Sequence, residues 1–488
     1  MTMAPHVLCI HQNFVSARQA GNARPIHLLA AMLARGFHVD VVTTRLGYLD
    51  DAEEPTPQGP LVQREGNLRL HRLSLAGGPS HVANRGRSYL RFLATAGRYL
   101  PKIRRVDVVY ATSPPLPQLL LSVLASARRD APMILEVRDL WPAYPVETGG
   151  LRSAPLIKAM EWLESLVYRA ADHCIVLAPA FAEYLVEMGV SPGRITVVPT
   201  GGDPVFLRMD PAEGVRWREA HGLGGRVLIL YAGSFNEHYH LSLAVAAARK
   251  LARRRTDIHW LFAGNGRDRR IIDRAAGQCP TIHSLGPATK DELLPILLAA
   301  DVGLVSGVRR PIIELTMHGK LFDYLAAGLP ILSTIDGQAG EIVRAADAGI
   351  VLERADEDCL AAAAVALAEM PDEGRRALGA RGRQWVMKYA NSVHMAEKVA
   401  DVVGTAGRGR GRSARLAGLA AAALAALGDA VAGRSGRAVR KLFGQGRDEV
   451  IRRSFRTWLA GADAEASSGG QAPPAAREMP ALLSDRDR

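Results

Sequence analysis

The strongest constraint on the fold is an alternation that runs through most of the chain, in which short β-rich apolar runs are separated by segments with helical spacing. Runs at residues 6–10, 39–43, 68–74, 107–111, 132–136, 173–177 and 195–199 form one series, and runs at 227–232, 258–263, 281–285, 301–305, 330–333 and 349–352 form a second. Between the first two runs a helix begins near Pro25, directs Leu28, Leu29, Met32 and Leu33 to one side, and stops at Gly36. Repetition of this kind predicts α/β architecture with parallel, doubly wound sheets, because parallel neighbours need a crossover and helices supply it. A chain of 488 residues exceeds what one core supports. Two Rossmann-like domains joined near 201–210 are therefore expected, although no sequence period relates them. Ligands of such sheets bind at the carboxyl ends of strands, which makes the loops after strands the candidates.

After the first run, HQNFVSARQAGNAR offers His11 as donor or acceptor, Gly21 with Asn22 for a tight turn, and Arg24 just before the helix. ILEVRDLWP puts Arg138 and Asp139 at a carboxyl edge. There the guanidinium can hold a phosphate or carboxylate bidentately and the carboxylate can orient or deprotonate a hydroxyl; an ordinary surface ion pair fits the same residues. In the second series, YAGSF leaves Gly233 and Ser234 to offer backbone N–H groups to a phosphate, with His238 or His240 following as a cation. Gly264-Asn265-Gly266 closes the next run, a pattern that also fits a plain turn. The most informative stretch is 309–334, RRPIIELTMHGKLFDYLAAGLPILST, whose Met317, Leu321, Tyr324 and Leu325 make a core-facing helical stripe before a Gly328 cap and a Pro330 stop. Lys320 lies in the first turn of that helix, where free N–H groups and the helix dipole favour an anion.

HGKLFDYLAAGLPIL resembles the C-terminal signature P-x-K-x-x-E-Y-x-A-x-G-x-P-V of the retaining, nucleotide-sugar-dependent glycosyltransferases of family 4, with Lys320, Asp323, Tyr324, Ala327, Gly328 and Pro330 in register. The segment E-x-R-D-L-W-P at 136–142 is similar to that of members building bacterial surface glycans, and HQ-x-F with LAAMLARGFHVDVVTT resembles the acceptor domain. The resemblance covers about residues 6–402. It implies a GT-B architecture with an acceptor domain at 1–205, a nucleotide-sugar domain at 206–388 facing it across a cleft, and a helix at 389–403 crossing back. A UDP-sugar donor, a glycan or lipid-linked acceptor, and retention by front-face attack are implied with it.

The same resemblance implies that Lys320 neutralises the leaving diphosphate while Asp139 or His11 handles the acceptor hydroxyl. Gly21, Arg24 and Arg138 would stand at the acceptor, and Gly233, Ser234, Gly264, Gly266, Glu314, His318, Gly319 and Asp323 would join Lys320 at the donor. Two positions depart from the family. Asp323 replaces the ribose-binding glutamate, and the first glutamate of an E-x7-E pair falls at Leu315 with Glu314 beside it. No D-x-D motif stands where a metal would be held, so neither a metal nor a separate cofactor is expected. The alternatives are a UDP-sugar 2-epimerase of the same architecture and a non-catalytic membrane scaffold with a degenerate transferase fold.

Lysine and arginine number 61 against 49 acids, a net charge of +12. That balance favours an anionic partner, here a membrane surface rather than nucleic acid. Residues 85–105 pair Tyr89, Leu90, Phe92 and Leu93 with Arg87, Arg91, Arg98, Lys102, Arg104 and Arg105, as in a helix lying on an anionic bilayer or one that simply covers a sheet. Residues 404–488 read as a basic extension: a glycine hinge, an alanine-rich helix, a basic amphipathic segment carrying Leu442, Ile451 and Phe455 that fits a membrane surface or a partner as well as it fits a solvated helix, and a disordered tail. Cys9, Cys174, Cys279 and Cys359 lie far apart, as thiols of a reducing compartment do. No secretory signal opens the chain, and its longest apolar run is short of the roughly 20 residues that span a bilayer. A cytoplasmic enzyme, peripheral on the inner face of the plasma membrane, is the expectation.

Overall fold

The computed structural model describes residues 4–14, 24–45, 60–75, 85–406, 412–444 and 447–467. The described residues form two compact units, the first built from those of 4–198 with 395–447, the second from those of 199–394 with 448–467. The division falls at 198/199, a few residues before the expected 205.

In the first unit the strands are β1 (His6–Ile10), β2 (His38–Thr44), β3 (Leu61–Glu65), β4 (Leu68–Leu73), β5 (Val108–Ser113), β6 (Met133–Val137), β7 (His173–Val176) and β8 (Ile195–Val197). They lie in the order β3-β4-β2-β1-β5-β6-β7-β8, parallel except for β3 against β4. The helices of this part are α1 (Arg24–Ala34), α2 (Arg85–Tyr99), α3 (Leu119–Arg129), α4 (Ala143–Glu147), α5 (Ala154–Ala170) and α6 (Pro179–Glu187). Helices cover both faces, so β5 and β6 are buried along their whole length and read as continuous apolar runs.

β3 is the strand that the sequence pattern misses. LVQRE is half exposed and mostly polar, because it is an edge strand whose partner lies on one side only. It joins β4 through the two-residue turn Gly66-Asn67, with Glu65 opposite Leu68 and Gly66 at φ 53°.

The second unit has β9 (Val227–Ala232), β10 (Ile258–Ala263), β11 (Ile282–Gly286), β12 (Val302–Val305), β13 (Ile331–Ser333) and β14 (Gly349–Val351), all parallel in the order β11-β10-β9-β12-β13-β14. Its helices are α7 (Ala212–Ala220), α8 (Leu241–Ala252), α9 (Arg269–Ala276), α10 (Lys290–Ala299), α11 (Pro311–Leu315), α12 (Gly319–Ala327), α13 (Gly337–Ala345), α14 (Glu357–Glu369) and α15 (Asp372–Tyr389). One face of the core joins Trp260, Phe262 and Leu304 to Ala244, Ala248 and Leu360. Strand order reverses between β1 and β5 in the first unit and between β9 and β12 in the second, which singles out the loops after those strands.

α16 (Ser392–Thr405), α17 (Arg412–Ala432), α18 (Arg434–Phe443) and α19 (Arg447–Ser467) complete the chain. From Met395 onward α16 packs with α1 of the first unit, where Met395, Val399 and Val403 meet Ile26, Leu28 and Met32. α17 buries Ala422 and Ala426 against Leu166 of α5, and Arg415 donates to Asp172 Oδ2 at 2.8 Å. Here the expectation for the basic extension needs correcting. Leu442, Ile451 and Phe455 are buried, with the Phe455 ring tilted against that of Trp458, so the apolar side of that segment faces protein rather than a bilayer. Residues 407–411 of the expected hinge and the tail from 468 lie outside the described residues.

Candidate functional site

In the second unit the site is organised by the start of α12. His318 is the N-cap and does not cap with its side chain, so the first-turn N–H groups stay directed outward. Gly328 ends the helix in the left-handed region at φ 77°, as the pattern requires. Tyr324 locks the helix to the sheet by accepting a 2.7 Å hydrogen bond from the Ala232 N–H at the end of β9. Lys320 is thereby held under the loop after β9. Its Nζ lies 3.9 Å from the centroid of the Tyr239 ring and 4.7 Å from that of Tyr231.

Lys320 makes no ion pair with any described residue, and its side chain is half-buried. Burial pulls its pKa down to about 7, with the charge of Asp323 opposing the shift. Asp323, one turn along α12, moves the other way, up to about 7: burial dominates, Asp203 adds to it, and Lys290 and Lys320 oppose it. His318 is buried, donates from Nε2 to the Ile313 carbonyl at 3.1 Å, and falls to about 3 through burial and the charge of Lys320. Since a carbonyl only accepts, Nε2 carries the proton and Nδ1 is left as an acceptor.

Several expectations for this loop change. His238 falls to about 4 through burial and the nearby Lys320, and burial lowers His240 as well, so both are neutral near pH 7 and neither supplies a cation. The Gly233 N–H is taken by the Ala263 carbonyl at 2.9 Å and the Gly264 N–H by the Gly286 carbonyl at 2.6 Å. These glycines shape the site rather than donating into it. A Cβ on Gly264 would lie 1.8 Å from the Gly233 carbonyl, and one on Gly233 would lie 3.2 Å from Lys320 Cε. Gly266 packs on Phe235 in the same way, and its N–H meets the side chain of Asn265 at 2.9 Å. Ser234 is half-buried, and its carbonyl accepts from Tyr231 Oη at 2.8 Å. Glu314 is buried in α11 against the Gly337 backbone, and Gly319 stands at the open start of α12.

Sequence reasoning missed Tyr231, Tyr239 and the pair Lys290–Asp203. Tyr231 lies in β9 and Tyr239 in the loop after it, and only the fold brings both rings to Lys320. Lys290, at the first turn of α10, bonds Asp203 Oδ2, and Asp203 Oδ1 accepts from the Val205 N–H at 2.9 Å.

In the first unit His11 follows β1 and Arg138 with Asp139 follows β6. His11 is buried, lies edge-on to Phe14 at 6.0 Å, and has its pKa driven well below normal by burial and by Arg138. The Arg138 N–H bonds the Ser113 carbonyl at 3.0 Å, and Nη2 bonds the Pro114 carbonyl at 3.1 Å. Asp139 has its pKa raised by burial, against the opposing charge of Arg138. Arg24 is not available to a ligand. It is buried, Nε pairs with Glu136 Oε1 at 2.8 Å, and Nη2 reaches the Val198 carbonyl at 3.0 Å. Glu136 is held by Thr112 as well. Gly21 lies outside the described residues.

The sequence matches the family described as "Glycosyl transferase 4-like domain" over residues 21–201 and that described as "Glycosyl transferases group 1" over 226–370, together about two thirds of the chain. Sucrose-phosphate synthase from Thermosynechococcus elongatus superposes with a TM-score of 0.63 at 20% identity, covering 82% of this chain and 98% of its own. The chain belongs to the GT-B glycosyltransferases.

Two further solved structures resemble this transferase. WaaG, a glycosyltransferase involved in lipopolysaccharide biosynthesis, matches at 17% identity with a TM-score of 0.59, covering 82% of this chain and all of its own. The Anabaena protein HepE, solved with UDP-glucose, matches at 13% identity with a TM-score of 0.60 over the same shares. No curated protein matches the sequence. Relatives covered over their whole length leave about a fifth of this transferase unmatched.

Proposed function

We propose that the transferase moves a sugar from a UDP-sugar to a glycan or lipid-linked acceptor with retention of configuration, in bacterial surface-polysaccharide or glycoconjugate assembly at the inner face of the plasma membrane. The observation that carries the reading is Lys320, a lysine without an ion-pair partner among the described residues, set between two tyrosine rings at the open end of α12. Departure of a nucleoside diphosphate concentrates negative charge on its terminal phosphate, and fixed donors aimed there lower the barrier. Lys320 and the first N–H groups of α12 supply that charge complement without a metal. The anion restores the ammonium form of a lysine that burial has brought close to neutrality.

Asp323 bonds the ribose, and Glu314 and His318 meet the donor sugar, His318 as an acceptor through Nδ1. On the acceptor side a raised pKa makes Asp139 a stronger base than an ordinary exposed aspartate, while His11 stays neutral and orients the hydroxyl. In front-face attack the acceptor oxygen bonds the anomeric carbon on the side from which the diphosphate departs, and its proton passes to Asp139, so no protein nucleophile is required. Solved relatives bound to UDP and UDP-glucose support the donor class, and the lipopolysaccharide role of WaaG supports the acceptor class.

A panel of UDP-sugars and saccharide acceptors, followed by NMR of the product anomer, tests this. One UDP-sugar is expected to give transfer with the donor's anomeric configuration. Release of a free 2-epimer, or UDP binding with no turnover across the panel, would sink the reading.

A further inference from the structure

α17 seats one side in the first unit, and its other side is exposed among the described residues. On the inward side Arg415 bonds Ser126 of α3 at 3.1 Å and Asp172 at 2.8 Å, and Ala422 and Ala426 meet Leu166 of α5. On the outward side Leu424 is 73% exposed and Leu427 55%, with Leu416, Ala417, Ala420, Ala421 and Ala425 exposed beside them. From Leu416 to Gly428 the helix has no polar side chain, so its solvent side is apolar over more than three turns.

The neighbouring helices extend this surface. α3, against which α17 lies, turns Leu120, Leu124 and Arg128 outward at the i, i+4, i+8 spacing of one helix face. α2 packs on α3, where Gly97 meets Leu121, and turns Arg87, Leu90, Ala94 and Arg98 outward, with Leu90 67% exposed. α2 and α3 contain no acidic residue at all. The one acid of α17, Asp429, is held by Arg169 and Arg434.

We propose that the outward face of α2, α3 and α17 is the surface by which this enzyme docks on an anionic lipid bilayer. Leucine and alanine rows enter the acyl boundary, and Arg87, Arg98 and Arg128 sit at the level of the headgroup phosphates. Charge decides the occupant. A second copy placed on the same face would bring these arginines against their own equivalents with no acid to answer them, whereas phosphate headgroups pair with them. The proposal deepens the membrane location given above, which it rests on for biological context. It relocates the contact from the α18–α19 segment, whose apolar residues are buried, to α17.

The test uses the full chain and vesicles of phosphatidylcholine with or without phosphatidylglycerol, read by co-sedimentation. Wild type is expected to bind the anionic vesicles. The pair Leu424→Glu with Leu427→Glu should weaken partitioning about tenfold or more, and Arg87→Glu with Arg98→Glu by a similar factor. Leu424→Ser with Leu427→Ser, a milder change, guards against a folding defect, and thermal melting of each variant reports it. Transfer to a water-soluble acceptor should be unchanged in every variant. If wild type shows no such transfer, the chemical proposal fails while vesicle binding still judges this surface. Undiminished binding by the α17 variants, equal binding to neutral vesicles, or a dimer that these variants dissolve would overturn the assignment.

Discussion

Lys320 and Arg24 are both cations near the carboxyl end of a parallel sheet, and the protein treats them in opposite ways. Arg24 is fully compensated, with Glu136 at 2.8 Å, a backbone carbonyl at 3.0 Å, and Thr112 steadying the carboxylate. Lys320 has two aromatic rings in place of a carboxylate, and burial lowers its pKa to about 7. A charge whose partner is built in holds a fold together, and one whose partner is left out waits for a ligand. Sequence position alone suggested a binding role for both.

The contrast predicts different failures. Lys320→Ala should reduce turnover by roughly a thousandfold or more while leaving the thermal midpoint within a few degrees, because in the proposed mechanism the lost interaction is made mainly with the leaving group. A variant retaining most of its turnover would break the comparison on the ligand side. Glu136→Gln should do the reverse: it strands the Arg24 charge, costing about 3–5 kcal/mol of stability by chemical denaturation. A change below about 1 kcal/mol would show that the pair is not what holds that region.

Glu164 sharpens the same idea for a carboxylate that has no cationic partner among the described residues. It is buried under hydrogen bonds from Tyr168 at 3.1 Å, Tyr184 at 3.1 Å and Ser435 at 3.3 Å, and burial lifts its pKa to about 8. A folded pKa above the unfolded one means the native state binds the extra proton. Stability therefore falls as pH rises through the interval from the ordinary glutamate range to about 8. Glu164→Gln should remove that slope, gaining on the order of 4–5 kcal/mol at alkaline pH relative to the parent. An unchanged pH profile of unfolding would contradict it.

How much of this was legible beforehand follows from the kind of physics involved. Parallel strands buried on both faces announce themselves as apolar runs, so β5, β6, β9 and β12 could be read directly, whereas the half-exposed edge strand β3 could not. The turn of α12, its Gly328 cap and the place of Lys320 were readable because they depend on neighbours in sequence. The tyrosine rings around Lys320, the Lys290–Asp203 pair and the Glu136 partner of Arg24 depend on crossovers of tens to more than a hundred residues, which no local spacing reports. The histidines after β9 misled for a related reason: their residue type suggests a cation, and only burial beside Lys320 reveals that they stay neutral. The C-terminal segment misled too, since an amphipathic pattern gives the apolar face but not what it packs against.

The most direct test of the central claim is the proton count on UDP binding, measured by titration calorimetry near pH 8 in buffers of differing ionisation enthalpy. An anion raises the pKa of a lysine that stands near 7 when free, so binding should take up close to one proton and affinity should fall as pH rises above about 7. Lys320→Met should abolish the uptake. Binding that takes up no proton, with an affinity that neither pH nor that substitution alters, would contradict the account.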